Sequence, residues 1–409
     1  MHVTGVIVEY NPLHNGHAYH LQQARKQSGA DIVAAVMSGY FLQRGEPALL
    51  PRRTRVKMAL RAGADLVIEL PYLYSTQHAS IFAHGSIAIL KELGADSICF
   101  GSEAGDQDSF HQLQTFMATH KKQYEELIQN KIKLGMSYPR ACSEAFQALL
   151  PAESLPSLSQ PNNILGFHYM EAITRLQANI KPFTVQRIGS GYHSLHETKG
   201  IMSATGIRNA LSNGQSLVDL KPYLPASTVE EWQQDEFLVD MNWERYFSYL
   251  QYKLLTTTPA ELSACYEIEE GIENRLQQAA LNSTTFNEWI NNVKTKRYTW
   301  TRIQRMATHL LTGAKKEDMR VSLTDSKIDS ARLLGMNQKG QKWLNEQKHN
   351  LHLSLYTTPS KQDTTQSRLD ARAAKSYFMG FPKDKRLQGI KHEYSMPPLR
   401  YDEEAQLFK

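Results

Sequence analysis

Gly5-Val6-Ile7-Val8-Glu9-Tyr10-Asn11-Pro12-Leu13-His14-Asn15-Gly16-His17 is the stretch that decides how this chain folds. The apolar run Val3–Val8 is too short for a helix and rich in β-branched residues, so it reads as a buried strand. Asn11-Pro12 is a turn signal. A helix is predicted from about residue 16 to 28. His14 and His17 are three apart at its start and so share a face. A helix N-terminus favours anions through its free N–H groups and its dipole. Gly16 removes a side chain where a phosphate needs to approach the backbone. Two imidazoles there can donate to phosphate oxygens and stabilise charge that develops only in the transition state.

Working outward, short Val/Ile-rich runs recur at 31–37, 65–70, 96–101 and 183–188, with helical patterns at about 52–62 and 77–93 between them. Strands alternating with helices predict a doubly wound α/β sheet of Rossmann-like type, whose ligands bind at the carboxyl ends of the strands. A helix-rich insertion is expected over 106–176. Beyond residue 215 strand-like runs become rare, and 229–253 and 300–311 read as helical. The organisation expected is therefore 1–215 as one domain and 216–409 as a second, mostly helical one. The stretch 351–409 is mixed and dotted with proline, and carries no assignment.

A second phosphate-binding pattern follows the fifth strand: Ile201-Met202-Ser203-Ala204-Thr205-Gly206-Ile207-Arg208. Hydroxyls and free N–H groups at a helix start, with an arginine in the first turn, describe a second cradle for phosphate.

The bulk properties narrow the function classes. The 409 residues are too many for one core and carry a net charge of +5. That charge is unevenly spread: residues 216–290 hold 4 Lys+Arg and 13 Asp+Glu, whereas 291–391 hold 21 and 8. The basic block is the footprint expected of a polyanion site. Cys99, Cys142 and Cys265 lie too far apart for a disulfide framework or zinc knuckle. No signal peptide and no run of about 18–20 apolar residues is evident, so a cytoplasmic protein without membrane attachment is expected. No metal ligands are legible.

His14-Asn15-Gly16-His17 together with Ser203-Ala204-Thr205-Gly206-Ile207-Arg208 resembles the nucleotidylyltransferase superfamily. A closer resemblance is carried by the opening stretch and by Met37-Ser38-Gly39, Gln43-Arg44-Gly45-Glu46-Pro47-Ala48, Phe100-Gly101-Ser102-Glu103, Pro161-Asn162-Asn163-Ile164-Leu165-Gly166, Lys296-Arg297-Tyr298-Thr299-Trp300-Thr301-Arg302-Ile303 and Arg332-Leu333-Leu334-Gly335-Met336. These are similar to the bacterial tRNA(Met) cytidine acetate ligases, over residues 5 to about 340.

That resemblance implies an ATP-dependent ligase. It would activate acetate as acetyl-adenylate, release pyrophosphate, and acetylate the wobble cytidine of elongator tRNA(Met) to N4-acetylcytidine. The loop Ile7, Val8, Glu9, Tyr10, Asn11, Pro12, Leu13, His14, Asn15, Gly16, His17, Ala18, Tyr19 and His20 would surround ATP, with His14 and His17 catalytic. Gly101, Asn163 together with Asn162, Arg187 and Ile188 would complete the nucleotide site, and Ser203, Thr205 and Arg208 would take phosphates. Mg²⁺ is expected to arrive with the ATP.

For tRNA, the segment containing Lys296, Arg297, Tyr298, Trp300, Arg302 and Arg305 offers cations for the backbone and aromatic rings for a splayed base. A second basic cluster, Arg52-Arg53-Thr54-Arg55-Val56-Lys57, opens a helix and would also suit an anionic partner. The same-fold alternatives are a small-molecule adenylyltransferase and a pantoate–β-alanine-type ligase, for which the basic block has no use. A non-catalytic tRNA-binding protein is a further alternative, disfavoured by two intact phosphate motifs.

Overall fold

The structure, a computed structural model, describes residues 1–152, 154–187, 200–237, 240–320, 328, 330–359 and 363–409. Strands β1 (Val3–Val8), β2 (Ile32–Ser38), β3 (Leu66–Leu70), β4 (Ser97–Ser102) and β5 (Lys181–Gln186) lie side by side and parallel, in the order β5-β4-β1-β2-β3. The order reverses at β1. The first crossovers build toward β3, and the chain then returns to place β4 on the other side of β1. That creates the crevice between the carboxyl ends of β1 and β4 where open α/β sheets bind ligands.

Successive residues of each strand serve opposite faces, as the two-residue period requires. Ile32, Ala34, Val36, Ile98 and Phe100 pack under the helices Ala79–Leu93 and Pro161–Arg175. Val33, Ala35, Met37 and Cys99 pack under Asn15–Ser28, Arg52–Arg61 and Ala204–Ser212. Four helices fill the stretch between β4 and β5: Gln107–Thr119, Lys121–Lys133, Tyr138–Ala148 and Pro161–Arg175.

Two features depart from the expectations above. The helix expected over 229–253 is two helices, Ala226–Gln233 and Glu244–Thr256, separated by a turn in which Asp235 accepts the Phe237 N–H and the Thr54 hydroxyl. Residues 330–408, part of the chain expected to be mostly helical, add four strands: β6 (Ser330–Asn337), β7 (Ser354–Tyr356), β8 (Leu399–Asp402) and β9 (Leu407–Phe408). β6 pairs antiparallel with β3 and carries β7 and β8, so among the described residues the sheet has nine strands. Gly335 permits this: a Cβ there would stand 2.8 Å from Val56 Cγ1 on the helix Arg52–Arg61.

The third core is helical. Phe237, residues 241–319 and the helix Thr365–Phe378 gather around Trp289, Tyr246, Ile303 and Leu310, joined by Tyr40, Phe41, Leu42 and Ala48 from the loop after β2 and Tyr72 from the short helix Tyr72–Ser75 after β3. The helical part is thus seated on the same edge as the crevice.

Candidate active site

The chain leaves β1 through Tyr10, held in the left-handed region at φ 49, a strained geometry for a non-glycine residue that tends to gather at functional sites. The helix Asn15–Ser28 then opens with His14 as its cap. His14 Nδ1 accepts the Gly16 N–H at 3.0 Å, and His17 Nδ1 accepts the His14 N–H at 3.4 Å. An Nδ1 that accepts leaves the ring proton on Nε2. The two rings stack with centroids 3.8 Å apart, and Tyr10 meets His17 edge-on at 5.2 Å.

Burial sets the charge state of this cluster. It pushes His14 down to about 3, with the Arg187 guanidinium adding to the effect. Burial likewise holds His17 well below the ordinary imidazole value, helped by His14 and Arg187, and brings His20 to about 4. All three rings are therefore neutral at physiological pH. Arg187 is the cation they share. Its backbone N–H donates to Ser102 and its Nη1 faces Asn162 Oδ1 at 3.5 Å. Among the described residues its Nε and His20 Nε2 are buried without a hydrogen-bond partner.

The two asparagines separate clearly. Asn163 is buried, and its carboxamide oxygen accepts from the Ser102 hydroxyl and from the N–H groups of Glu103 and Ala104. That side chain builds the loop after β4. Asn162 donates to Glu103 Oε1 at 2.6 Å and turns its oxygen to Arg187, on the site side. Gly101 lies against the Arg187 stem, with a built Cβ 3.4 Å from Cγ.

The second phosphate motif joins the first. Ser203 caps the helix Ala204–Ser212 and accepts the Gly206 N–H at 3.1 Å. Asn15 donates to the carbonyls of Gly200 and Pro222, both at 2.9 Å. Arg208 donates to the Asn11 carbonyl at 2.8 Å and pairs with Glu46 at 2.7 Å, with Thr205 at 3.4 Å from the same guanidinium. Two helix starts therefore face one crevice. Val8 and Leu13 of the loop pack into the core beneath it, Ile7 packs on the opposite face of the sheet, Asn11 and Pro12 are buried, and Ala18, Tyr19 and His20 follow on the first helix, Tyr19 being exposed. Ile188 lies outside the described residues.

Glu9 was not distinguished by sequence from its neighbours in the loop. Burial, with Glu46 adding, raises its pKa, against the Gln43 N–H that it accepts at 2.7 Å and the charges of Arg44 and Arg208. The role of Glu103 was also missed: it accepts from both Asn162 and the Asn163 N–H. Both lie in stretches quoted above, but their roles come from contacts distant in sequence.

The basic segment corrects several expectations. Arg305 is not available to a tRNA phosphate. It is buried in an ion pair with Glu267 at 2.6 Å. Tyr298 is not a free stacking surface either, being 8% exposed with Arg302 over its ring at 4.7 Å and its hydroxyl donating to the Glu269 carbonyl. Trp300 packs against the helical core and donates to Gln304. Arg297 pairs with Glu270, and Arg302 faces Glu269 at 3.6 Å. The acidic block thus pairs with three arginines of this segment, and Lys296 is left exposed without an ion pair among the described residues.

Arg52 and Arg55 of the cluster 52–57 are likewise internal, while Arg53 and Lys57 are half-buried. Arg52 is buried between Glu69 and Glu393. Arg55 is fully buried and donates to the carbonyls of Glu9, Ser38, Gly39 and Leu50, fixing the loops at the ends of β1 and β2.

Among the described residues no helix is long and apolar enough to cross a membrane. Residues 1–392 match the HIGH nucleotidyl transferase family. The tRNA(Met) cytidine acetate ligase of Halalkalibacterium halodurans is 48% identical, covering 98% of each chain. That of Bacillus subtilis is 45% identical over 100% of this chain and 99% of its own. The crystal structure of Thermotoga maritima TmcAL bound with alpha-thio ATP superposes with a TM-score of 0.88 at 29% identity, covering 98% of this chain and all of that one. The crevice between β1 and β4, with its paired histidines and two facing helix starts, therefore sits in a chain that belongs to the tRNA(Met) cytidine acetate ligase family of HIGH nucleotidyl transferases.

Proposed function

We propose that this protein joins acetate to the wobble cytidine of elongator tRNA(Met) at the expense of ATP. In the first step an acetate oxygen attacks the α-phosphorus. The bond to the oxygen bridging to the β-phosphate breaks, and pyrophosphate leaves acetyl-adenylate behind. In the second step the N4 amine of cytidine attacks the acetyl carbon, AMP leaves, and the amine gives up a proton to form N4-acetylcytidine. The names of the full-length relatives support the substrate, and the ATP analogue held by a structural neighbour supports the nucleotide.

The observation that carries this reading is the stacked, desolvated pair His14 and His17, joined through Asn15 and Arg208 to the second helix start. As neutral rings they offer N–H groups to oxygens of the α-phosphate, His14 from Nε2 and His17 from a ring that also meets the Pro12 carbonyl. They act as fixed donors rather than proton sources, and a dry site makes such donors most effective. Arg187 supplies the permanent positive charge beside them.

Ser203, Thr205 and Arg208 receive the β- and γ-phosphates at the start of the helix Ala204–Ser212. Gly101 and Asn162 border the nucleoside, and Asn163 positions the loop on which they sit. Among the described residues no three metal-ligating side chains converge. Mg²⁺ would therefore come in on the phosphates, as it commonly does, rather than in a protein cage. The reaction belongs in the cytoplasm, where its tRNA is.

The test is incorporation of labelled acetate into unmodified elongator methionine tRNA with ATP present, beside a control tRNA. Label confined to the wobble cytidine is expected. Acetate-dependent exchange of pyrophosphate into ATP without label in tRNA would keep the activation step and overturn the acceptor.

A further inference from the structure

The loop between β2 and the helix Arg52–Arg61 is clamped from both sides. Toward the crevice, the Gln43 N–H donates to Glu9 at 2.7 Å, the Leu49 N–H to Asn11 at 2.6 Å, and Glu46 holds Arg208. Toward the helical part, Gln304 donates to the Arg44 carbonyl at 2.9 Å, Thr308 to the Gly45 carbonyl at 2.7 Å, and Trp243 to that same carbonyl. Gly45 has φ 80, and a Cβ there would stand 2.6 Å from the Arg305 backbone nitrogen. Only glycine lets the helix Trp300–Thr312 close on this turn.

At the tip of this clamped turn stands Arg44. Its backbone is fixed, and its side chain is exposed; its charge acts on the buried Glu9 carboxyl, but it closes no ion pair among the described residues. Its neighbours differ. Arg297, Arg302 and Arg305 each face a glutamate of the acidic block. Lys294 and Lys296, just before the helix Trp300–Thr312, share the freedom of Arg44. A short chain of contacts links the two places, since Trp300 donates to Gln304 and Gln304 donates to Arg44. Unpaired cations thus run across the start of that helix to the rim of the crevice.

ATP phosphates have two helix starts of their own and Glu9 is buried, which leaves the exposed guanidinium of Arg44 for an anion at the surface. A polynucleotide acceptor must bring one base to the α-phosphate while its charged backbone stays at the rim. A guanidinium on a rigid turn is pre-organised to grip such a phosphate with two hydrogen bonds. We propose that Arg44 holds the backbone phosphate beside the nucleotide that is acetylated, and that Lys294 and Lys296 carry the strand onward across the start of the helix Trp300–Thr312. This rests on the acetate-to-tRNA reading above.

The experiment compares Arg44→Ala, Arg44→Lys and the double variant Lys294→Ala/Lys296→Ala with the unaltered enzyme. It measures acetate-dependent pyrophosphate exchange without tRNA, the KM for tRNA, and tRNA binding as a function of salt. Arg44→Ala is expected to leave exchange within about twofold and raise the KM for tRNA about tenfold. It should also lower the slope of log K against log salt by about one. Arg44→Lys should recover part of the affinity. Unchanged KM and slope would overturn the proposal. So would a raised KM for ATP with unchanged tRNA binding, which would make Arg44 a nucleotide ligand. An unaltered enzyme without exchange would overturn the activation step instead, and the binding arm would still decide Arg44.

Discussion

The imidazole of His14 lies over that of His17 with centroids 3.8 Å apart and planes 27° apart, and each ring accepts a backbone N–H at Nδ1. The Nε2–H of His14 is thereby left for whatever fills the crevice, while the His17 ring also meets the Pro12 carbonyl. Removing one preorganised donor of this kind costs about a hundred- to a thousandfold in rate. His14→Ala and His17→Ala should each lower acetate-dependent pyrophosphate exchange by that order, with the circular dichroism spectrum retained. Near-native exchange with unchanged melting would take these side chains out of the chemistry.

The same burial predicts an acid-sensitive fold. His14 titrates at about 3 when folded, against the ordinary value of 6.5. The unfolded chain therefore binds the proton first as the pH falls. The neutral ring costs nothing above 6.5, and the folded state loses ground between 6.5 and about 3. For His14 alone the loss is about 2 kcal/mol at pH 5. Denaturant titrations at pH 7.5 and pH 5 should show a drop of at least this order, and His14→Gln should make the drop smaller. A pH-independent midpoint in both proteins would contradict the neutral, desolvated cluster.

How far the sequence led depends on the reach of each contact. The His14–His17 loop, the five parallel strands and the motif around Ser203 are legible because strand period, turn chemistry and helix start all lie within a dozen residues. β6 was not legible. Arg332-Leu333-Leu334-Gly335-Met336 becomes a strand because β3 offers it an edge more than 260 positions away in sequence. The basic segment misled for a related reason. Its charges are local, but Glu267, Glu269 and Glu270, which neutralise Arg305, Arg302 and Arg297, are set opposite them only by the tertiary fold.

Gly16 tests whether the position of the His14 ring matters apart from its chemistry. A Cβ at residue 16 would stand 2.9 Å from His14 Cε1. The ring must move, whereas alanine suits a helix better than glycine by about 1 kcal/mol. Gly16→Ala should therefore melt no lower than the unaltered protein yet lose at least about tenfold in pyrophosphate exchange. Full activity would show that the ring tolerates displacement.

Asn162 and Asn163 are adjacent in sequence but make different contacts. Asn163→Ala strips the acceptor from the Ser102, Glu103 and Ala104 donors. It should lower stability by about 1–3 kcal/mol for the buried groups left unpaired. Asn162→Ala should leave melting nearly unchanged and raise the KM for ATP. Thermal melts and initial rates against ATP distinguish the two. The reverse pattern would exchange their roles.

Arg305 and Lys296 lie nine positions apart in one basic segment, and the structure gives them opposite consequences. Burial works to raise the Glu267 carboxyl, and Arg305 with His78 outweighs it. Arg305→Ala leaves that carboxylate buried without its main partner, a change that costs about 3–5 kcal/mol in comparable pairs. It should appear as a fall in melting temperature, with any loss of tRNA acetylation following the loss of folded protein. Lys296→Ala, on an exposed and unpaired side chain, should leave melting unchanged and weaken tRNA binding in a salt-dependent way. Equal melting for both variants would mean that the Arg305–Glu267 pair is not buried. A salt-independent effect of Lys296→Ala would mean that it does not meet the polyanion.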